Sequence, residues 1–263
     1  MSYLEAIVLG VIQGLTEFLP ISSSGHLEIV KALFGNHSEV EESLFLTILL
    51  HVATALSTVV VFRKEIFEIL KGLLQFNKNE STSFLLKIIL SMIPAALVGL
   101  FFQDEIEQLF SQNLILVGLM LLITALFLFL ADKARNKNNE VSSINAIILG
   151  IVQAIAILPG ISRSGSTIAT AVILGIDREK AARFSFLMVL PLIFGSMSKT
   201  ILDSNLVIQK IELFPLILSF FSAFLTGIIA CKWMIALVKN SKLKYFSIYC
   251  LVVGIIAIIY GLF

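Results

Sequence analysis

The chain has 263 residues, 58% of them hydrophobic, with a mean hydropathy of +0.99 and a formal net charge of +1. A water-soluble fold of this length cannot cover so much apolar surface, so the expected class is an all-α polytopic membrane protein with lipid as its solvent. The near-neutral charge argues against a nucleic-acid partner.

In chain order, the first element is a broken segment over residues 3–33, with an apolar arm of about 15 residues, a Pro/Ser/Gly break and a shorter second arm. A membrane span needs roughly 17–25 residues, so such an arm reads as re-entrant. A cleaved signal peptide is not expected: no basic region precedes Leu4, and Gln13 and Glu17 interrupt the apolar run. A first span follows at 44–62. Residues 65–76 then place Ile66, Ile69, Leu70, Leu73 and Leu74 at helical spacing among Glu68 and Lys71, which predicts an interfacial helix acting as an anchor. Further spans are expected at 83–102 and 114–130, a second broken segment at 144–176, and three more spans at 182–200, 214–238 and 246–263. Ser91, Pro94 and Pro191 read as kinks or packing points, and Ser219, Ser222 and Gly227 as small residues at helix contacts. Cys231 and Cys250 lie in apolar stretches without a CxxC pair and read as buried structural thiols.

Loop charges set the orientation. Residues 63–80 carry Arg63, Lys64, Lys71 and Lys78; residues 132–140 carry Lys133, Arg135 and Lys137; the last inter-span loop carries Lys239, Lys242 and Lys244. These three are expected inside. The acidic stretches 36–42 and 103–112 are expected outside, as are both termini. The predicted architecture is one integral membrane domain, 1–263, with six transmembrane helices and two re-entrant helix–loop–helix segments. Its halves, 1–131 and 144–263, form an inverted repeat whose broken tips meet near the midplane.

The broken segments are written in related letters. Residues 10–26 read GVIQGLTEFLPISSSGH and residues 150–166 read GIVQAIAILPGISRSGS, so Gly10, Gln13, Ser22, Ser24 and Gly25 recur as Gly150, Gln153, Ser162, Ser164 and Gly165, each 140 positions later. In each copy a helix stops at a proline and a new one starts from serines, which are favoured N-caps. Two helix N-termini would thus point free N–H groups and positive dipole ends at one buried spot, a clamp for a polyoxygen anion. Arg163 at that depth needs a partner, either Glu17 or a substrate phosphate, and the fork of the guanidinium favours phosphate. Glu17 lies four residues after Gln13 on the same helix face. It could ligate Mg²⁺ or Ca²⁺, act as a general base, or neutralise Arg163. Ser23 and His26, three residues apart, could supply a nucleophile and its proton partner in either order. His51, in the first span, and His37, in an outer loop, read as structural or solvated.

The run from Gln13 to His26, taken with Leu158-Pro-Gly-Ile-Ser-Arg-Ser-Gly-Ser-Thr167, closely resembles the bacterial undecaprenyl-diphosphatase family, also called the bacitracin-resistance protein family, over essentially the whole chain. The resemblance implies a plasma (inner) membrane phosphatase that removes one phosphate from undecaprenyl diphosphate and so recycles the lipid carrier for cell-wall synthesis. It implies a divalent cation and a site open to the outer face. It places the catalytic roles on Glu17, Ser23, His26 and Arg163, with Glu17 also the metal ligand. Substrate contacts fall on Gln13, Ser22, Ser24, Gly25, Gly160, Ser162, Ser164, Gly165 and Thr167. Gln13 stands where some members have glutamate, which leaves Glu17 as the motif's one carboxylate. The expected partners are the polyprenyl diphosphate lipid and the bilayer, with a homodimer left open. The alternative reading is a polyprenyl-phosphate transporter or flippase, because inverted repeats also build carriers.

Overall fold

The structure, a computed structural model, describes residues 1–34, 40–75, 79–102, 105–106, 113–135, 137–203, 213–240 and 242–262. The expected outer stretches 36–42 and 103–112, with His37, lie wholly or largely outside these residues. Every regular element among the described residues is helical.

Five helices are long and apolar enough to cross a membrane: Glu80–Phe101, Leu114–Lys133, Arg178–Lys199, Leu213–Lys239 and Leu243–Leu262. The sixth expected span takes a different form. Phe45–Val61 turns by 77° into Arg63–Leu73, so the interfacial helix begins at the end of the span itself rather than after a loop. Its outer face carries exposed Phe67 and Leu70, while Ile69 and Gly72 are buried. Pro94 lies within Glu80–Phe101, and Pro191 stands in the first turn of Leu190–Asp203, just after the preceding helix ends at Met188.

The two broken segments each give a short arm and a shorter tip helix. The first arm, Tyr3–Phe18, opens on a capping box in which Ser2 and Glu5 satisfy each other's backbone N–H groups. It ends where Leu19, forced extended by the proline that follows, breaks the helix. Its 16 residues reach about 24 Å and the 13 of the second arm, Ser143–Ile155, about 20 Å. Neither reaches the ~30 Å of a bilayer core. The tip helices are Ser23–Phe34 and Arg163–Ile173.

Each arm packs against a long helix from the other half of the chain. Tyr3–Phe18 lies along Leu213–Lys239, Ser143–Ile155 along Glu80–Phe101, and Leu114–Lys133 along Leu243–Leu262. Glycine makes these approaches close. A Cβ on Gly10 would lie 2.3 Å from the Ser219 carbonyl oxygen, and one on Gly150 would lie 2.5 Å from that of Ser91. Gly118 and Gly254 face each other in the same way, at 2.6 and 2.9 Å from the opposite carbonyl oxygen. Ser91 and Ser219 are therefore helix-contact residues, as expected. Cys231 and Cys250 are free and fully buried.

The outward surface is apolar. Ile144, Ile147, Ile151 and Ile155 form one exposed face of the second arm, and Leu86, Ile89, Ile93, Leu97 and Leu100 one of Glu80–Phe101. Such stripes at helical spacing suit a lipid solvent and no aqueous one. Charged groups gather at one end instead. Glu140 pairs with Lys180, Lys239 with Glu179 at 2.8 Å, and Asp132 accepts the Lys244 N–H at 3.1 Å. Two of the loops expected on the same side are thus in contact.

Candidate active site

The arms end at their proline breaks, and the breaks meet. A Cβ on Gly25 would sit 3.2 Å from Gly160 Cα, and one on Gly165 would sit 3.1 Å from Pro20 Cβ. The Ser164 hydroxyl donates to the Glu17 carbonyl at 3.2 Å and lies 3.5 Å from that of Leu19. Contact this tight needs small residues on both sides. Gly160 also adopts φ +93°, where a side chain would be strained. Ser22 adopts φ +71°, a left-handed conformation rare for serine, and turns its carbonyl toward His26.

Both tip helices carry a serine cap. Ser22 Oγ accepts the Gly25 N–H at 3.2 Å, and Ser162 Oγ accepts that of Gly165 at 3.0 Å. The Ser162 N–H in turn donates to Thr124 Oγ1 at 3.0 Å. The other first-turn N–H groups have no partner within their helices. Both N-termini therefore deliver positive potential to the junction.

Glu17 lies at the centre, only 7% exposed. Its Oε1 pairs with Arg163 Nη2. Its Oε2 accepts the Ser23 hydroxyl at 2.8 Å and the Gln13 amide at 3.1 Å. The other atom of that amide, Gln13 Oε1, is buried without a protein partner. Arg163 Nη1 reaches the Ser185 carbonyl at 3.4 Å, so the guanidinium is held from two sides. The sequence favoured phosphate as the partner of Arg163; here that partner is Glu17.

The expected residues do not all behave alike. Gln13, Glu17, Ser23 and Arg163 form one hydrogen-bonded cluster. Ser22, Ser162, Gly25 and Gly165 build the caps, and Ser22 and Ser24 approach at 3.4 Å just as Ser162 and Ser164 do. Thr167 turns away from the cluster: its hydroxyl bonds to the Arg163 carbonyl at 2.8 Å and to the Ser185 hydroxyl. Ser23 and His26 do not pair, because Ser23 donates to Glu17 instead. His26 Nδ1 lies 2.7 Å from the Ser22 carbonyl and its Nε2 lies 2.8 Å from the Tyr249 hydroxyl.

Three residues outside the expected set border the site. His51, expected to be structural or solvated, places its Nε2 3.6 Å from Glu17 Oε2 while its Nδ1 donates to the Thr47 carbonyl at 2.7 Å. The available signal was an ionisable group inside an apolar span, which marks a functional position by default. Ser185 and Tyr249 carried no such signal, since their partners lie 22 and 223 residues away.

Among the described residues, no three His, Cys, Asp or Glu side chains gather to hold a metal ion. The donors near Glu17 nevertheless fit a hard cation shared with a substrate. A carboxylate and the unpartnered Gln13 Oε1 offer two oxygens, and Mg²⁺ characteristically takes one or two carboxylates, substrate phosphates and water.

An apolar groove of about 490 Å³ lies between the first arm, the first tip helix and Leu243–Leu262, and His26 is the expected catalytic residue that borders it. Leu15, Leu19, Ile21, His26, Phe246 and Tyr249 are among the residues lining it.

Comparison with known proteins gives the family. The family model described as bacitracin resistance protein BacA matches residues 6–256. A protein of Christiangramia forsetii named undecaprenyl-diphosphatase is 60% identical over 99% of both chains. Proteins of the same name from Bacteroides fragilis and Methanococcus vannielii are 49% and 43% identical, over 98% of this chain and 98% and 100% of their own. With matches of that extent, the chain belongs to the bacitracin resistance protein BacA family.

Proposed function

We propose that this protein is a membrane phosphatase that hydrolyses undecaprenyl diphosphate to undecaprenyl phosphate and inorganic phosphate, the activity for which its relatives are named. The observation that carries the reading is the partly buried Ser23–Glu17–Arg163 constellation, set where two helix N-termini converge. It combines a hydroxyl resting on a carboxylate with a cationic fork and free backbone donors, the groups that phosphoryl transfer requires.

The diphosphate enters with its terminal phosphate at Arg163 and the first turns of the tip helices. Arg163 exchanges one oxygen of Glu17 for phosphate oxygens, to which its fork is matched. Ser23 Oγ attacks the terminal phosphorus and Glu17 takes its proton. The bond from phosphorus to the bridging oxygen breaks, and undecaprenyl phosphate departs with that oxygen. Water then cleaves the phosphoserine, giving inorganic phosphate and restoring the hydroxyl. Ser23 is preferred to His26 as nucleophile because its hydroxyl already rests on a carboxylate acceptor at 2.8 Å. A Mg²⁺ ion held by Glu17 and Gln13 Oε1 would supply charge neutralisation for the diphosphate. The prenyl tail lies in the apolar groove and leaves sideways into lipid, since it cannot enter water.

The fold that supports this is an inverted repeat of 1–131 and 144–263, with two re-entrant segments dipping from opposite leaflets. The pairing of each arm with a helix of the other half favours it. With the basic loops inside, the first break opens to the outer face of the inner membrane, where the spent carrier is released. Phosphate release from undecaprenyl diphosphate by purified protein in detergent, where no gradient exists, is the test. Release is expected. Its absence from folded protein that still moves labelled lipid across vesicles would overturn the phosphatase in favour of a carrier.

A further inference from the structure

His26 is held unusually firmly for a group expected to handle protons. A carbonyl can only accept, so the contact with the Ser22 oxygen at 2.7 Å puts a proton on Nδ1. In the neutral ring the lone pair then sits on Nε2, and the Tyr249 hydroxyl donates to it at 2.8 Å. The two rings also stack, with centroids 5.6 Å apart and planes 12° from parallel. The lone pair is therefore occupied.

Tyr249 is also a wall of the groove. Tyr245, Phe246 and Tyr249 turn one side of Leu243–Leu262 toward it, and His26 closes its polar end. Tyr249 is 41% exposed, so its ring has space into which it can swing. A chain lying in the groove packs directly against this ring and so bears on its contact with His26. A diphosphate held at Arg163 whose tail runs past His26 into the groove would be tethered there, which gives the tail a high effective concentration against the ring. A diphosphate without a tail has nothing with which to displace it.

We propose that Tyr249 is a latch: its hydroxyl keeps the Nε2 lone pair of His26 occupied until a prenyl chain fills the groove and moves the ring aside. The freed Nε2 then takes the proton of the water that cleaves the phosphoserine while the prenyl chain still lies in the groove, and Glu17 returns its own proton to Ser23 Oγ. Tyr249 is thus a specificity-determining residue that acts through His26, and binding of the remote tail controls the reacting centre. This inference rests on the phosphatase reading, with the tail in the groove.

The test compares undecaprenyl diphosphate with isopentenyl diphosphate in the wild type and in Tyr249→Phe, which keeps the stacked ring and removes the hydroxyl. The ratio of kcat/KM for the long substrate over the short one is expected to fall about three- to tenfold, the range that one hydrogen bond spans. An unchanged ratio with both substrates slowed equally would overturn the latch and leave Tyr249 as a support for His26. A second measurement does not depend on turnover. In ¹⁵N-histidine-labelled protein, undecaprenyl phosphate is expected to shift His26 Nε2 toward a free lone pair, and inorganic phosphate to leave it in place. Identical responses to the two ligands would also overturn the latch. Wild-type protein that releases phosphate from neither diphosphate would refute the phosphatase reading instead, while the spectroscopic arm would still report on the ring.

Discussion

At the first break Ser22 caps Gly25 at 3.2 Å, and at the second Ser162 caps Gly165 at 3.0 Å. In each, the cap hydroxyl lies 3.4 Å from the serine two residues on. The letters that recur after 140 residues are mostly scaffold: they stop one helix, start the next and let the tips touch. The letters that differ carry the charge and the reactive groups. Glu17 faces Ile157 in the alignment of the copies, Ser23 faces Arg163, and His26 faces Ser166. One tip brings the carboxylate, the hydroxyl and the imidazole, and the other brings the cation. Two breaks of like build can hold unlike groups because capping and close packing need only small residues, whereas phosphate chemistry needs different groups in one place.

The largest effect expected from breaking this arrangement is that of Glu17→Gln. It replaces the base beneath Ser23 with an amide that cannot take its proton, and leaves the partly buried Arg163 without its counter-charge. Phosphate release should fall about 10²–10⁴-fold, and unfolding free energy by about 3–5 kcal/mol. Adding Arg163→Met to it should recover stability in thermal unfolding but not turnover. Next comes Ser23→Ala, for which single-turnover assays should show a comparable kinetic loss and no phosphoserine. Its stability should stay within about 1 kcal/mol, the net worth of its hydrogen bond. A denaturation midpoint as low as that of Glu17→Gln would make Ser23 a structural residue.

The scaffold half of the comparison is tested by Gly10→Ala and Gly150→Ala. Each forces a Cβ toward a carbonyl oxygen, at 2.3 and 2.5 Å, so each should cost about 1–3 kcal/mol by thermal unfolding in detergent. Unequal losses would show that the two arm contacts are not equivalent. The smallest effect concerns the glutamines. Gln13 has Glu17 as a partner, but neither amide atom of Gln153 has one among the described residues. Gln153→Leu should leave turnover unchanged and stability equal or raised by up to about 1–3 kcal/mol. Gln13→Leu should lower kcat. Equal kinetic losses from both would put Gln153 in the reaction.

Much of this was legible beforehand because it is local. Apolar runs, prolines, serine caps and loop charges act within a turn or two, so arm lengths, breaks and most spans emerge from periodicity. The bend after Val61 was missed because span and interfacial helix were read as separated by a loop. Of the two partners the sequence offers Arg163, the structure shows Glu17, a carboxylate 146 residues away that its hydroxyl and glycine neighbours do not announce. His51 looked idle because nothing within reach along the chain needed it.

The sequence by itself determined a helical membrane protein with two interrupted segments of shared design, and the residue types available for phosphate chemistry. Only the tertiary structure decided the pairings: Glu17 with Arg163 and Ser23, His51 beside that carboxylate, and His26 with Tyr249 rather than with Ser23. Helix starts and stops depend on backbone groups that the neighbouring residues satisfy. Pairings between buried polar groups depend on which side chains long-range packing brings into reach of one another, and that proximity is written nowhere along the chain.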